Sequence, residues 1–307
     1  MLGRFDRGGN RIHEHDSVPI GILVRGLIVC VLLVLGGYLL FVNTRWGQKI
    51  DEAAYSGRHI VAPALIEYDR LILDPVSAST LVVAMALILM AGAFRRCLAA
   101  AAIIAVGFAC AVVGAELLKN ALPWHALLPR DTKLPLDLQR HTYPSGHTTI
   151  GTSLSIALIL LSPTRWRLWM AVIAGLFSAS FATGVLFVGW HRPSDALGGI
   201  FWSGSCMSLT ALLIIALRGK PIGKVQPGGG AFLRSLLLII LLTMIAPLLF
   251  TAAHIDATQV AAQVPFLILT LLIAMSSFGL AVWFGWQLRS VDWSKTREAR
   301  HLNTALT

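Results

Sequence analysis

CLAAAAIIAVGFACAVVGAELL, residues 97–118, carries a single charged side chain, Glu116. At a rise of about 1.5 Å per residue, a helix of that length crosses a hydrocarbon core of about 30 Å. Comparable runs can be read at 26–43, 78–94, 147–162, 168–188, 196–217, 232–252 and 262–286. Apolar residues make up 56% of the 307 and charged residues 13%, about half the charged share of a soluble domain. The sequence therefore predicts an all-α, polytopic membrane bundle of about eight transmembrane helices. The run at 147–162 is short and opens on polar residues, which suits a helix packed inside the bundle rather than against lipid.

A net charge of +10 invites a nucleic-acid reading, but the distribution of charge argues otherwise. With the basic N-terminus placed inside, alternate segments hold sixteen basic and five acidic residues on that side. The other side holds nine basic and ten acidic residues. All the excess positive charge then lies on one face, as the positive-inside rule requires, and both termini are expected in the cytoplasm. The first span ends Phe41-Val42-Asn43-Thr44 with no small-x-small cleavage pattern, and it reads as a retained anchor. Cys30, Cys97, Cys110 and Cys206 fall in or at the ends of spans, at spacings unlike a metal or disulfide framework. No cofactor and no metal site is implied.

The organisation expected is a basic cytoplasmic lead at 1–19, a six-helix unit at 20–217 and a cytoplasmic linker at 218–230. Two further helices follow at 231–288, then a cytoplasmic tail at 289–307. Residues 44–77 are mixed in charge and partly amphipathic; a helix lying on the membrane and a cap over the bundle fit them equally. Nearly all reactive side chains outside the spans fall in 119–146 and 189–195, so the chemistry belongs to the region 97–217.

Three segments there carry it. Tyr143-Pro144-Ser145-Gly146-His147 stands just before a span, where proline suits a helix start and the first backbone N–H groups face an anion. Gly146 permits close approach, Ser145 adds a hydroxyl, and His147 sits where it can donate a proton to something bound. The plain alternative is a polar N-cap with an interfacial histidine. Trp190-His191-Arg192-Pro193-Ser194-Asp195 repeats the arrangement. His191 and Asp195 are four apart and share a helix face, so the carboxylate can hold one ring nitrogen and leave the other as nucleophile. An interfacial ion pair is the alternative there. Glu116-Leu117-Leu118-Lys119 closes the span at 97–118 and precedes Pro129-Arg130. Lys119 is either a snorkelling anchor or a phosphate ligand, with Arg130 supplying a bidentate fork.

Together these segments resemble the type 2 phosphatidic acid phosphatase family, the lipid phosphate phosphatases, related by fold to vanadium haloperoxidases. The family pattern is Lys-x6-Arg-Pro, then Pro-Ser-Gly-His, then Ser-Arg-x5-His-x3-Asp. Pro144-Ser145-Gly146-His147 matches the second part in full, and His191 and Asp195 match the end of the third. Ala126 stands where the first part has arginine, and Gly184-Val185 where the third has Ser-Arg. The resemblance implies a six-helix phosphatase core with His191 as nucleophile, Asp195 as its orienting partner and His147 as the acid for the leaving oxygen. Lys119, Ser145 and Gly146 would bind the phosphoryl group. Arg130 is the nearest arginine to the first gap and Arg192 to the second; Arg192 either reaches the phosphate or pairs with lipid headgroups or a nearby carboxylate. The partners implied are the bilayer and a membrane lipid phosphate: a polyprenyl (pyro)phosphate, phosphatidate or phosphatidylglycerophosphate. The alternative is a weakly active lipid-phosphate binding or transport protein that keeps the fold.

Overall fold

The computed structural model describes residues 20–128, 141–218 and 260–293. Arg130 and Arg140, the linker after Arg218, the run at 232–252 and both chain ends lie outside them. Among the described residues the secondary structure is helical, with no strand. Helix α1 (Ile20–Gly37) runs on through a π-helical turn, Tyr38–Val42. Two short helices follow, α2 (Arg45–Gly57) and α3 (Pro63–Leu73), and then α4 (Ala78–Phe94), α5 (Leu98–Ala121) and α6 (Gly146–Leu161). The remainder are α7 (Arg167–Phe187), α8 (Pro193–Arg218) and α9 (Val260–Gln287).

Five stretches are long and apolar enough to cross a membrane: Ile20–Val42, α5, α7, α8 and Gln263–Gln287 of α9. A sixth arises if α3 and α4, bent by 69° at their break, form one broken span. The chain is an all-α membrane bundle. Helix α1 shows why the apolar runs carry little amphipathic signal. It buries only the narrow stripe Leu23, Cys30 and Val34 while Leu32, Leu33 and Leu35 stay exposed, because lipid is as apolar as a core. Helix α6 is the opposite case, buried along most of its length between α5, α7 and α8, as its short polar-headed sequence predicts.

Small residues set the closest approaches. A Cβ on Gly107 of α5 would fall 2.0 Å from Thr210 Oγ1 of α8, and one on Gly285 of α9 would fall 2.3 Å from Ala171 Cβ of α7. Between the helices run polar ties: Ser178 of α7 donates to Thr152 Oγ1 of α6 at 3.0 Å and meets Ser277 Oγ of α9 at 2.5 Å. Helix α9 thus belongs to the same bundle as α6 and α7.

At one end of the bundle Arg167 is fully buried, with its guanidinium donating to backbone carbonyls of Ile159, Leu160, Ser162, Leu288 and Val291. Arg95 pairs with Asp292 at the same end, at 3.4 Å. At the opposite end α2 covers the bundle. Its N-cap Thr44 accepts the Gly47 N–H, and its inner face buries Gln48, Asp51, Ala54 and Tyr55 against α9 and α8. Of the two readings left open for residues 44–77, α2 is a cap.

Candidate active site

Both histidine segments lie at helix starts on the α2 end of the bundle. Ser145 is the N-cap of α6: its Oγ accepts the Thr148 N–H at 3.3 Å, and its own N–H donates to the Asp195 carbonyl at 2.8 Å. Gly199 of α8 lets the two starts touch, since a Cβ there would lie 2.7 Å from the Ser145 carbonyl oxygen. The loop from α7 to α8 turns at Gly189, whose φ of +82° is the left-handed region glycine favours. Its carbonyl accepts the Tyr55 hydroxyl of α2 at 2.9 Å. Trp190 and His191 donate their N–H groups back to the Val185 carbonyl, at 3.0 and 3.3 Å.

This brings the His147 and His191 rings to 6.1 Å between centroids, with the Trp190 ring 5.0 Å from His147. His191 is 7% exposed and Asp195 2%. The Asp195 carboxylate lies 3.6 Å from His191 Nδ1, just beyond a hydrogen bond. Thr142 stands between them: its hydroxyl donates to Asp195 Oδ2 at 2.5 Å and meets His191 Nδ1 at 3.1 Å. Asp195 Oδ2 also accepts the Arg192 N–H at 3.0 Å.

Lys119, at the end of α5, binds both carboxylate oxygens of Glu116, at 2.8 and 2.9 Å. That carboxylate rests against Gly146 at the start of α6, 2.5 Å from where a Cβ would stand. Lys119, Glu116 and Asp74 are all near enough to His147 to act on its charge. Arg192, 4% exposed, is engaged by α2: its Nε and Nη2 each lie 3.0 Å from Glu52 Oε2, and its guanidinium sits 5.6 Å from the Tyr55 ring centre. Asp51, beside Glu52, accepts the Ser194 N–H at 2.9 Å and its hydroxyl at 2.6 Å. Burial, reinforced by the Asp195 charge beyond, pushes the Asp51 carboxyl up to about 7. Phe41, Gln48, Asp51, Trp124, His141, Arg192, Ser194 and Asp195 are among the residues lining a small pocket beside the loop from α7 to α8.

Residues 96–219 match the PAP2 superfamily. Comparison with curated proteins and with solved structures finds no match. The PAP2 match supports a phosphatase-type function, the hydrolysis of a phosphoric ester. The PAP2 segment holds Lys119, Ser145, Gly146, His147, His191, Arg192 and Asp195, and the fold gathers all of them at one end of the bundle. Arg130 belongs to the segment but lies outside the described residues. Val185, where the resemblance looks for arginine, is fully buried among Leu73, Ala54 and Leu186, and Asp69 of α3 packs on its neighbour Gly184.

Residues that sequence reasoning passed over complete the site. Asp51, Glu52 and Tyr55 precede the PAP2 segment, on a stretch of mixed charge where an acidic pair carries no signal of its own. Thr142 is one position before the quoted motif, and a threonine in a loop carries no signal of its own.

Proposed function

We propose that the protein is a metal-independent lipid-phosphate phosphatase that works through a phosphohistidine on the extracytoplasmic side of the membrane. The substrate is a polyprenyl (pyro)phosphate, phosphatidate or phosphatidylglycerophosphate, with its tail left in lipid and its headgroup at the water interface. The observation that carries this reading is the pair of imidazoles 6.1 Å apart, each at the start of a helix, with a buried carboxylate behind one of them. A phosphoryl group between the rings meets His191 on one side and His147 on the other. The N–H groups at the start of α6 and the Lys119 ammonium face its oxygens. The His191 Nε2 lone pair forms the N–P bond as the ester P–O bond breaks, and His147 protonates the leaving oxygen. Water then attacks phosphorus and gives its proton to His147, and the electron pair of the N–P bond returns to Nε2. Arg192 joins the phosphate contacts on release from Glu52, and Arg130 does so from the preceding loop.

Purified protein assayed on those lipids should form an acid-labile, alkali-stable phosphoenzyme that His191→Ala abolishes, and EDTA should leave turnover intact. Loss of activity in EDTA would point to a metal enzyme instead. A second reading, a weakly active lipid-phosphate binding or transport protein, is favoured by one observation: Val185 is an apolar core residue where the resemblance looks for a cation. That reading predicts lipid-phosphate binding that His191→Ala leaves unchanged, with no phosphoenzyme in either form.

A further inference from the structure

We infer that Thr142 is a positioning residue for the nucleophile, its hydroxyl linking the His191 imidazole to the Asp195 carboxylate; this rests on the phosphohistidine reading. A hydroxyl has one proton to donate, and an ionised carboxylate has none. The 2.5 Å contact to Asp195 Oδ2 therefore uses the Thr142 proton. At the 3.1 Å contact Thr142 Oγ1 is then the acceptor, so His191 Nδ1 carries hydrogen and points it at the threonine. With Nδ1 protonated, the lone pair lies on Nε2, the nitrogen that must reach phosphorus. The direct distance of 3.6 Å from Nδ1 to Asp195 does not impose that tautomer; the threonine does.

The link is held from both sides. Tyr143, next in the chain, is 1% exposed and donates its hydroxyl to the Val34 carbonyl of α1 at 2.6 Å. Ser145 is tied by its N–H to the Asp195 carbonyl, so the segment carrying Thr142 is anchored to the helix that carries the carboxylate. During transfer the ring gains positive charge as the N–P bond forms. Nδ1 keeps its hydrogen throughout, and the carboxylate acts on that charge through the threonine hydroxyl. When water releases the phosphate the charge on the ring disappears and the link is unchanged, so Thr142 neither gains nor loses a proton over the cycle.

The test compares Thr142→Val with Thr142→Ser, using p-nitrophenyl phosphate and phosphatidate in detergent micelles as probes. Valine keeps the shape and removes the hydroxyl; serine keeps the hydroxyl. Thr142→Val should lower kcat and the rate of phosphoenzyme formation by about 10- to 100-fold, the loss expected of a hydrogen bond to a charged group, with KM little changed. Thr142→Ser should recover kcat to within a few-fold of the parent. Wild-type kcat in Thr142→Val, or equal losses in both variants, would overturn the inference while leaving the histidine chemistry standing. Undiminished turnover in His191→Ala, measured alongside, would remove the histidine reading itself and the inference with it.

Discussion

Asp51 of the capping helix and Ser194 at the start of α8 are joined through both carboxylate oxygens across 143 residues of sequence. A helix start leaves its first N–H groups without partners, and the acceptor here comes from a different helix rather than from a local cap. Ser194 lies between the loop carrying His191 and Asp195, so the contact also fixes where the Asp195 carboxylate stands. Asp51→Ala should destabilise the protein by about 1–3 kcal/mol for each buried donor left unpaired, read as a lower thermal unfolding temperature in detergent. The pH dependence has a defined sign. The Asp51 carboxyl holds its proton more tightly folded than unfolded, between 3.8 and about 7. The stability that this proton contributes is complete at the acid end, falls as pH rises through that window and levels off above it. Asp51→Asn should remove this fall, so the parent should lose ground to it between pH 4 and 7.

Glu116 and Lys119 should act against each other in substrate binding. Without a phosphate, the Glu116 carboxylate occupies Lys119 and rests at the start of α6, where an anion belongs. Glu116→Gln should lower KM by about two- to fivefold with kcat nearly unchanged, the range expected from a half-exposed ion pair worth about 0.2–1 kcal/mol. A raised KM would mean that Glu116 holds Lys119 in its working position.

His147, near both Trp190 and His191, should matter most where the leaving group needs a proton. His147→Ala should slow alkyl phosphates far more than aryl phosphates whose leaving oxygen departs as an anion. Equal losses on both would take His147 out of the acid role.

Arg192 is the cation nearest the proposed nucleophile in sequence. Removing one donor to a transferring phosphoryl group costs about 3–4 kcal/mol, or 10²–10³ in rate. Arg192→Ala should therefore lose about 10²-fold in kcat, with Arg192→Lys recovering only part, because lysine cannot present a planar fork. Glu52→Gln, which removes the carboxylate charge from beside the guanidinium, should not lower kcat. Near wild-type turnover in Arg192→Ala would leave Arg130 or Arg140 as the supplying residue.

Orientation is testable with two cysteines in a background lacking the native four. Lys133→Cys should label with an impermeant thiol reagent on intact cells and Lys220→Cys should not. The reverse pattern would place the site in the cytoplasm.

Much of this was legible in the sequence, and the reason is local. A span is a run of consecutive apolar residues, so α1, α5, α7, α8 and α9 could be read directly, with boundaries within a few residues except at the start of α1, which begins six residues before the run at 26–43. The histidine segments were legible because proline, serine, glycine and histidine are neighbours in the chain. Thr142, Asp51 and Glu52 were not, because their roles depend on distances between residues 49 to 143 positions apart. Arg167 stands at the end of a span, where a charge count takes an arginine as solvated; the fold buries it completely. A charge count registers which end of a span an arginine occupies, and cannot tell a solvated guanidinium from one that serves backbone carbonyls.

That buried arginine bears on how the protein can be shortened. Residues 96–219 look like a natural fragment to isolate, yet Arg167 draws two of its five acceptors from Leu288 and Val291, at the far end of the chain. Cutting after α8 would leave a cation in an apolar setting with its coordination half dismantled, a defect worth several kcal/mol. A minimal version would need an apolar side chain at position 167, and would still lack the roof that Asp51 and Glu52 provide. Helix α9 is therefore part of the frame that holds the bundle together, and the smallest folding unit is larger than the smallest recognisable one.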